Sequence, residues 1–69
     1  MPEHTDWELM AASILKAELK RKNTTYGQLA SLIGDKEVNI RNKLSRGKFT
    51  AAFFLQCLDA IGEKTIRLS

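Results

Sequence analysis

Amide and basic side chains are concentrated between residues 36 and 48, and their spacing favours recognition of a polyanion. Asn39, Asn42 and Arg46 recur at i, i+3 and i+7, so in a helix they project from one side. Arginine can donate two hydrogen bonds to guanine O6 and N7, and asparagine can pair with adenine N6 and N7. The same segment holds five basic residues against one acid, Glu37. The pattern therefore predicts base reading combined with phosphate neutralisation.

These side chains need a helix that a tight turn holds against a second helix. Thr25 and Gln28 have the spacing of a capping box, which predicts where a short helix begins. Gly34 can adopt the positive φ of a sharp turn, and a polar helix over about residues 37–46 follows it. This order predicts a helix-turn-helix reader of DNA, and the alternative is an ordinary solvated helix face. The apolar stripe of the first of these helices consists of Tyr26, Leu29, Ala30 and Ile33.

Two further helices complete the predicted bundle. Thr5 and Glu8 have the spacing of another capping box, which would open a helix over about residues 6–22. Thr50 is a plausible cap for a last helix, and Gly62 is its natural stop. The predicted fold is therefore all-α, a small bundle of four to five helices. The predicted core consists of Trp7, Ile14, Leu15, Leu29, Ile33, Ile40, Leu44, Phe54, Leu58 and Ile61.

The segment 63–69 breaks the helical period. Ile66 and Leu68 alternate with polar residues, which predicts a short strand. Because an unpaired strand edge recruits another chain, this strand would pair with a second copy and close a homodimer. The alternatives are a disordered tail or apolar side chains folded over the domain's own core. The residues expected in the dimer ribbon are Thr65, Ile66, Arg67 and Leu68.

Composition limits the other classes of function. Sixty-nine residues support one modest core, here placed at residues 6–62 after a disordered tail at 1–5. The single cysteine, Cys57, lies on an apolar stripe and is expected to be a buried hydrophobe in a reducing, cytoplasmic setting. The only histidine, His4, has no neighbouring ligands, so no enzyme, cofactor or metal site is predicted. Neither a membrane span nor a signal peptide is recognisable.

The order of these features resembles the helix-turn-helix domain of the phage lambda repressor and Cro superfamily, often called the xenobiotic-response-element family. The resemblance rests on Leu29-Ala30, Gly34, Arg46-Gly47 and Ile61-Gly62. More narrowly, the string NIRNKLSRGKFTAAFFLQCLDAIG is similar to a group of short bacterial proteins of unknown function. The broad resemblance implies that the polar helix enters the major groove, while the start of the preceding helix rests against phosphate. The family commonly has a glutamine where this chain has Tyr26, and the Tyr26 hydroxyl is expected to donate to a phosphate in its place.

We therefore predict a sequence-specific, double-stranded DNA-binding regulator of transcription that reads two half-sites about one helical turn apart. Asn39, Asn42 and Lys36 are predicted to read base edges, and the remaining basic residues to neutralise phosphates. The alternative is a protein-interaction module, antitoxin-like or an adaptor, that docks a protein partner on the same scaffold. The predicted DNA-binding residues are Tyr26, Lys36, Asn39, Arg41, Asn42, Lys43, Arg46 and Lys48.

Overall fold

A computed structural model describes residues 6–66, which form four α-helices. Helix α1 packs against α3 and α4, and α2 packs against the same two helices. This confirms the predicted all-α bundle. Within residues 6–66, no helix has the length and apolarity that crossing a membrane requires. The helices are α1 (Trp7–Arg21), α2 (Tyr26–Ile33), α3 (Glu37–Arg46) and α4 (Ala51–Ala60).

Local sequence signals fix both ends of α2. The backbone N–H of Gln28 donates to Thr25 Oγ1 over 3.1 Å, and the backbone N–H of Thr25 donates to Gln28 Oε1 over 2.8 Å. This is the predicted capping box. Gly34 ends α2 with φ 72°, in the left-handed region that favours glycine. A short turn, residues 34–36, therefore joins the two helices.

The start of α1 differs from the prediction by one residue. Asp6, not Thr5, caps α1, because its carboxylate accepts a hydrogen bond from the backbone N–H of Leu9 over 3.0 Å. A carboxylate there is also favoured by the positive end of the helix dipole. Glu8, the expected capping partner, pairs with Lys48 instead. Residues 1–5, predicted to be a disordered tail, lie outside the described part of the chain.

The end of α3 packs closely on the first turn of α1. Gly47 ends α3 with φ 69°, and a Cβ added to it would lie 3.0 Å from the carbonyl carbon and 3.1 Å from the carbonyl oxygen of Glu8. The start of α4 is confirmed, since Thr50 Oγ1 accepts a hydrogen bond from the backbone N–H of Phe53 over 3.0 Å. Helix α4 thus begins only a few residues after this contact.

The core draws on all four helices, and the part predicted from α2, α3 and α4 is largely confirmed. Phe54, Ile33 and Ile61 pack against the core without being fully buried. Cys57 is completely buried, as predicted. The fully enclosed residues are Ala12, Leu15, Leu19, Leu29, Ala30, Ile40, Leu44, Phe53, Cys57 and Leu58.

The predicted inward face of α1 is wrong in part. Trp7, expected in the core, is 67% exposed, and Ile14 is only half-buried. Leu15 is buried as predicted, and Ala12 and Leu19 face inward beside it. Two apolar stripes lie side by side on this helix. Packing against α3 and α4 buries Leu15 and Leu19 of one stripe, whereas Trp7 and Ile14 belong to the other.

The predicted C-terminal strand is not formed over residues 63–66. The backbone N–H of Glu63 donates to the carbonyl oxygen of Leu58 over 2.9 Å, and the Glu63 carboxylate pairs with Arg21 of α1. These two contacts hold Glu63, the first residue of the segment, against its own domain. The other predicted ribbon residues, Arg67 and Leu68, lie outside the described residues.

Candidate nucleic-acid interface

Helix α3 presents one polar face to solvent. Ile40 and Leu44 are completely buried and mark the inward side of the helix. Because successive residues are about 100° apart around the axis, Asn42 points in the opposite direction, away from the core. Asn39 and Arg46 are exposed on the same side as Asn42. The structure therefore confirms that these three side chains share one accessible face.

Asp35 positions Asn39 at one edge of this face. The Asn39 side-chain amide donates to Asp35 Oδ1 over 3.0 Å, and the backbone N–H of Lys36 donates to the same oxygen over 2.7 Å. The bond from Asn39, followed by that from Lys36, holds the pKa of the Asp35 carboxyl below its usual range, because both bonds favour the charged form. Asn39 Oδ1 accepts no hydrogen bond from residues 6–66. It stays available to a ligand.

Lys43 points toward α4 rather than outward. Its Nζ lies 3.5 Å from Asp35 Oδ2 and 4.3 Å from the centroid of the Phe53 ring, within the range of a cation–π contact. The side chain is half-buried. Lys43 therefore contributes positive charge from the flank of the face, and its role as a direct phosphate contact is the least favoured of the predicted set.

Arg41 and Tyr26 lie together where α2 meets α3. Arg41 Nη2 contacts Glu37 Oε2 over 2.5 Å, and the guanidinium carbon lies 6.0 Å from the centroid of the half-buried Tyr26 ring. The Glu37 carboxylate also faces Gly27, since a Cβ built there would lie 3.0 Å from Glu37 Oε1. A phosphate at the start of α2 would have to displace this carboxylate. Glu37 was counted in the sequence only as an opposing charge, although its i, i+4 spacing to Arg41 was a usable signal for this ion pair.

Lys48 lies beyond the end of α3 and turns toward α1. Its Nζ contacts Glu8 Oε1 over 2.5 Å, and this bond raises the pKa of the Lys48 ammonium. Among residues 6–66, in contrast, no side chain forms an ion pair or a hydrogen bond with the side chains of Lys36, Asn42 or Arg46. The structure thus separates most of the predicted set into two groups. The open group consists of Lys36, Asn42 and Arg46, and the group paired with carboxylates consists of Asn39, Arg41, Lys43 and Lys48.

One exposed apolar residue, Val38, was missed by the sequence analysis. It is 52% exposed and precedes Asn42 by four residues, so both lie on the same side of α3. The signal that could have found it is the helical period itself, which places Val38 away from Ile40 and Leu44. The outer face of α3 therefore combines amide, guanidinium and apolar groups.

Potential metal ligands and a single thiol also occur among residues 6–66. Residues 6–66 hold no group of three or more His, Cys, Asp or Glu side chains placed to bind a metal ion. Burial raises the pKa of the Cys57 thiol to about 11, so the thiolate is scarce at neutral pH.

No curated protein and no solved structure matches the chain. A family model does match residues 7–66, which include all four helices, and it is described as a domain of unknown function, DUF6471. That description names no activity, so the resemblance to the lambda repressor and Cro superfamily stays a prediction. The chain belongs to the DUF6471 family.

Proposed function

We propose that the protein is a sequence-specific DNA-binding regulator of transcription that inserts α3 into the major groove of double-stranded DNA. The observation that carries the proposal is the outer face of α3, where Asn39, Asn42 and Arg46 are exposed opposite the buried Ile40 and Leu44. An α-helix with side chains is about 10–12 Å wide, which suits a groove about 12 Å wide.

The open group of side chains, together with Asn39, supplies the closest contacts in this proposal. Asn42 lies at the centre of the face and is suited to pair with a base edge, adenine above all. Asn39 offers its free amide oxygen to a donor while Asp35 holds its amide nitrogen. Arg46, at the end of α3, carries a charge that is suited to a flanking phosphate, and Lys36, at the start of α3, is proposed to reach a base edge.

The paired cations can still take part at small cost. Ion pairs between exposed side chains contribute about 0–1 kcal/mol, so Lys48 and Arg41 can exchange a carboxylate for a phosphate. The Glu8 and Glu37 carboxylates would then lie near the DNA and repel its phosphates. We therefore expect Glu8→Gln to strengthen binding of all DNA sequences alike, rather than to change the preferred sequence.

A second copy extends the proposal to a homodimer. Two α3 helices related by a twofold axis would read half-sites about one helical turn, or 34–36 Å, apart. The preferred site would then be an inverted repeat.

The test is selection of binding sites from a random pool of duplex DNA with the full chain, followed by titration of the enriched site. Asn42→Ala should lower affinity for that site by about 1–3 kcal/mol and relax the preference at one base pair. Arg46→Ala should weaken all sequences alike and reduce the slope of log K against log salt by about 0.9. Between 50 and 200 mM salt, a slope change of that size alters the affinity ratio about 3.5-fold.

Two variants of exposed residues on other helices provide matched controls. Gln56→Ala removes an exposed amide from α4, and Lys16→Ala removes a positive charge from α1. Both should bind the enriched site within about twofold of the wild type, since neither lies on α3. Equal losses for Lys16→Ala and Arg46→Ala would attribute the effect to net charge and contradict the role given to α3.

A protein-interaction module is the second candidate, and an exposed apolar groove favours it. Trp7 of α1 borders a groove of about 270 Å³ that Phe49 and Phe54 also line. Retention on random-sequence DNA at low salt separates the two candidates, because a module that binds only protein should elute with the void volume. That result would remove the DNA-binding proposal.

A further inference from the structure

The structure gives Val38 no role in the packing of the bundle. Val38 is 52% exposed, whereas Ile40 and Leu44, the other apolar residues of α3, are completely buried. Valine is also a weaker helix former than alanine, because its branched side chain loses χ1 freedom. The folding of α3 therefore does not account for valine at this position.

Its place on α3 is suited to contact with bases. Val38 is the second residue of the helix, and recognition helices touch base edges mainly with their N-terminal residues. Side chains at i and i+4 lie about 5–6 Å apart, and successive base pairs of DNA are about 3.4 Å apart. Val38 and Asn42 would therefore meet bases one or two pairs apart.

We propose that Val38 reads the C5-methyl group of a thymine next to the base that Asn42 contacts. The methyl group of thymine is the apolar feature that bases of unmodified DNA present in the major groove, where the other base positions are hydrogen-bond donors or acceptors. Glu37 and Asn39, which flank Val38 along the chain, are polar and exposed, so the contact would exclude water only over the methyl group. The inference rests on the proposed DNA binding and names one element of its specificity.

The test uses the enriched site with each thymine replaced in turn by uracil, which lacks the methyl group and keeps the pairing edge. At one position the replacement should weaken binding of the wild type about fourfold, as expected for one methyl group lost from an apolar contact. Val38→Ala should bind the thymine duplex about fourfold more weakly and should no longer distinguish thymine from uracil there. A duplex with 5-methylcytosine at that position restores the methyl group without the thymine pairing edge and should recover part of the wild-type affinity.

Leu55→Ala is the matched control, because Leu55 is also an exposed apolar residue, 58% exposed on α4. It should keep the full discrimination between thymine and uracil. Circular dichroism of Val38→Ala should show an unchanged helix content, since alanine favours the helix.

The outcomes separate this inference from the proposal on which it rests. An enriched site whose uracil replacements all bind like thymine overturns the role of Val38 and leaves DNA binding intact. Retained discrimination in Val38→Ala, with weaker binding of every duplex, assigns Val38 a structural role and also overturns the inference. A pool from which no sequence is enriched overturns the proposed function and this inference together.

Discussion

Alanine at the two glycines that end α2 and α3 separates the effect of backbone conformation from that of packing. Gly34 has φ 72° and Gly47 has φ 69°, so alanine is strained to a similar degree at both. A Cβ on Gly34 meets nothing within 4 Å, whereas a Cβ on Gly47 lies 3.0 Å from the carbonyl carbon of Glu8. The two variants differ mainly in that contact.

The expected destabilisation follows from these two contributions. Gly34→Ala should lower the free energy of unfolding by about 1–2 kcal/mol, the cost of the left-handed conformation. Gly47→Ala should add about 1–3 kcal/mol of overpacking, because the backbone atoms of Glu8 cannot rotate away as a side chain could. The total of about 2–5 kcal/mol is a large part of the roughly 3–10 kcal/mol expected for a domain of this length.

The assay is equilibrium unfolding in urea, followed by far-ultraviolet circular dichroism. With a slope of about 1 kcal/mol per molar urea, the midpoint of Gly47→Ala should lie about 1–3 M below that of Gly34→Ala. The difference between the midpoints of the wild type and Gly34→Ala measures the cost of placing alanine in the left-handed conformation. Equal midpoints for the two variants would mean that α1 moves aside freely, and would refute the close packing of α1 on the end of α3.

Two further predictions follow from titratable groups. The pKa of Asp35 is lowered in the folded state, chiefly by the hydrogen bond from Asn39. The Asp35 carboxylate therefore stabilises the fold above its unfolded pKa of about 3.9, and this stabilisation is lost as pH falls through the lower folded pKa. Urea midpoints measured from neutral pH to about pH 2 should therefore fall more steeply for the wild type than for Asp35→Asn; parallel curves would contradict this. Burial raises the pKa of Cys57 to about 11, so a thiol reagent at neutral pH should label the folded protein only through its unfolding, and labelling as fast as that of the urea-unfolded chain would contradict burial.

The helix ends were predictable because their signals are local. The hydroxyl of Thr25 and the amide of Gln28 recognise backbone groups within one turn, and glycine at Gly34 and Gly47 meets a conformational requirement of its own residue. The orientation of α1 was not predictable in the same way. Both adjacent stripes of α1 carry large apolar side chains, and contacts with α3 and α4, which are distant in sequence, decide which stripe is buried.

The candidate site, too, was predictable where its signals are local and not where it depends on helix packing. Exposure of Asn42 and Arg46 follows from the helical period, because Ile40 and Leu44 fix the buried side of α3. The pairing of Lys48 with Glu8 joins residues 40 positions apart, so it depends on how the helices pack and has no local signal.

Trp7 is the only tryptophan of the chain, and its exposure decides what fluorescence can report. An indole that is 67% exposed already emits as it would in water, so unfolding changes its emission wavelength little. Covering of the first turn of α1 by another molecule would shift the emission to shorter wavelengths. Trp7 fluorescence therefore reports on binding in the groove beside Phe49 and Phe54 without a label, and it responds little to unfolding.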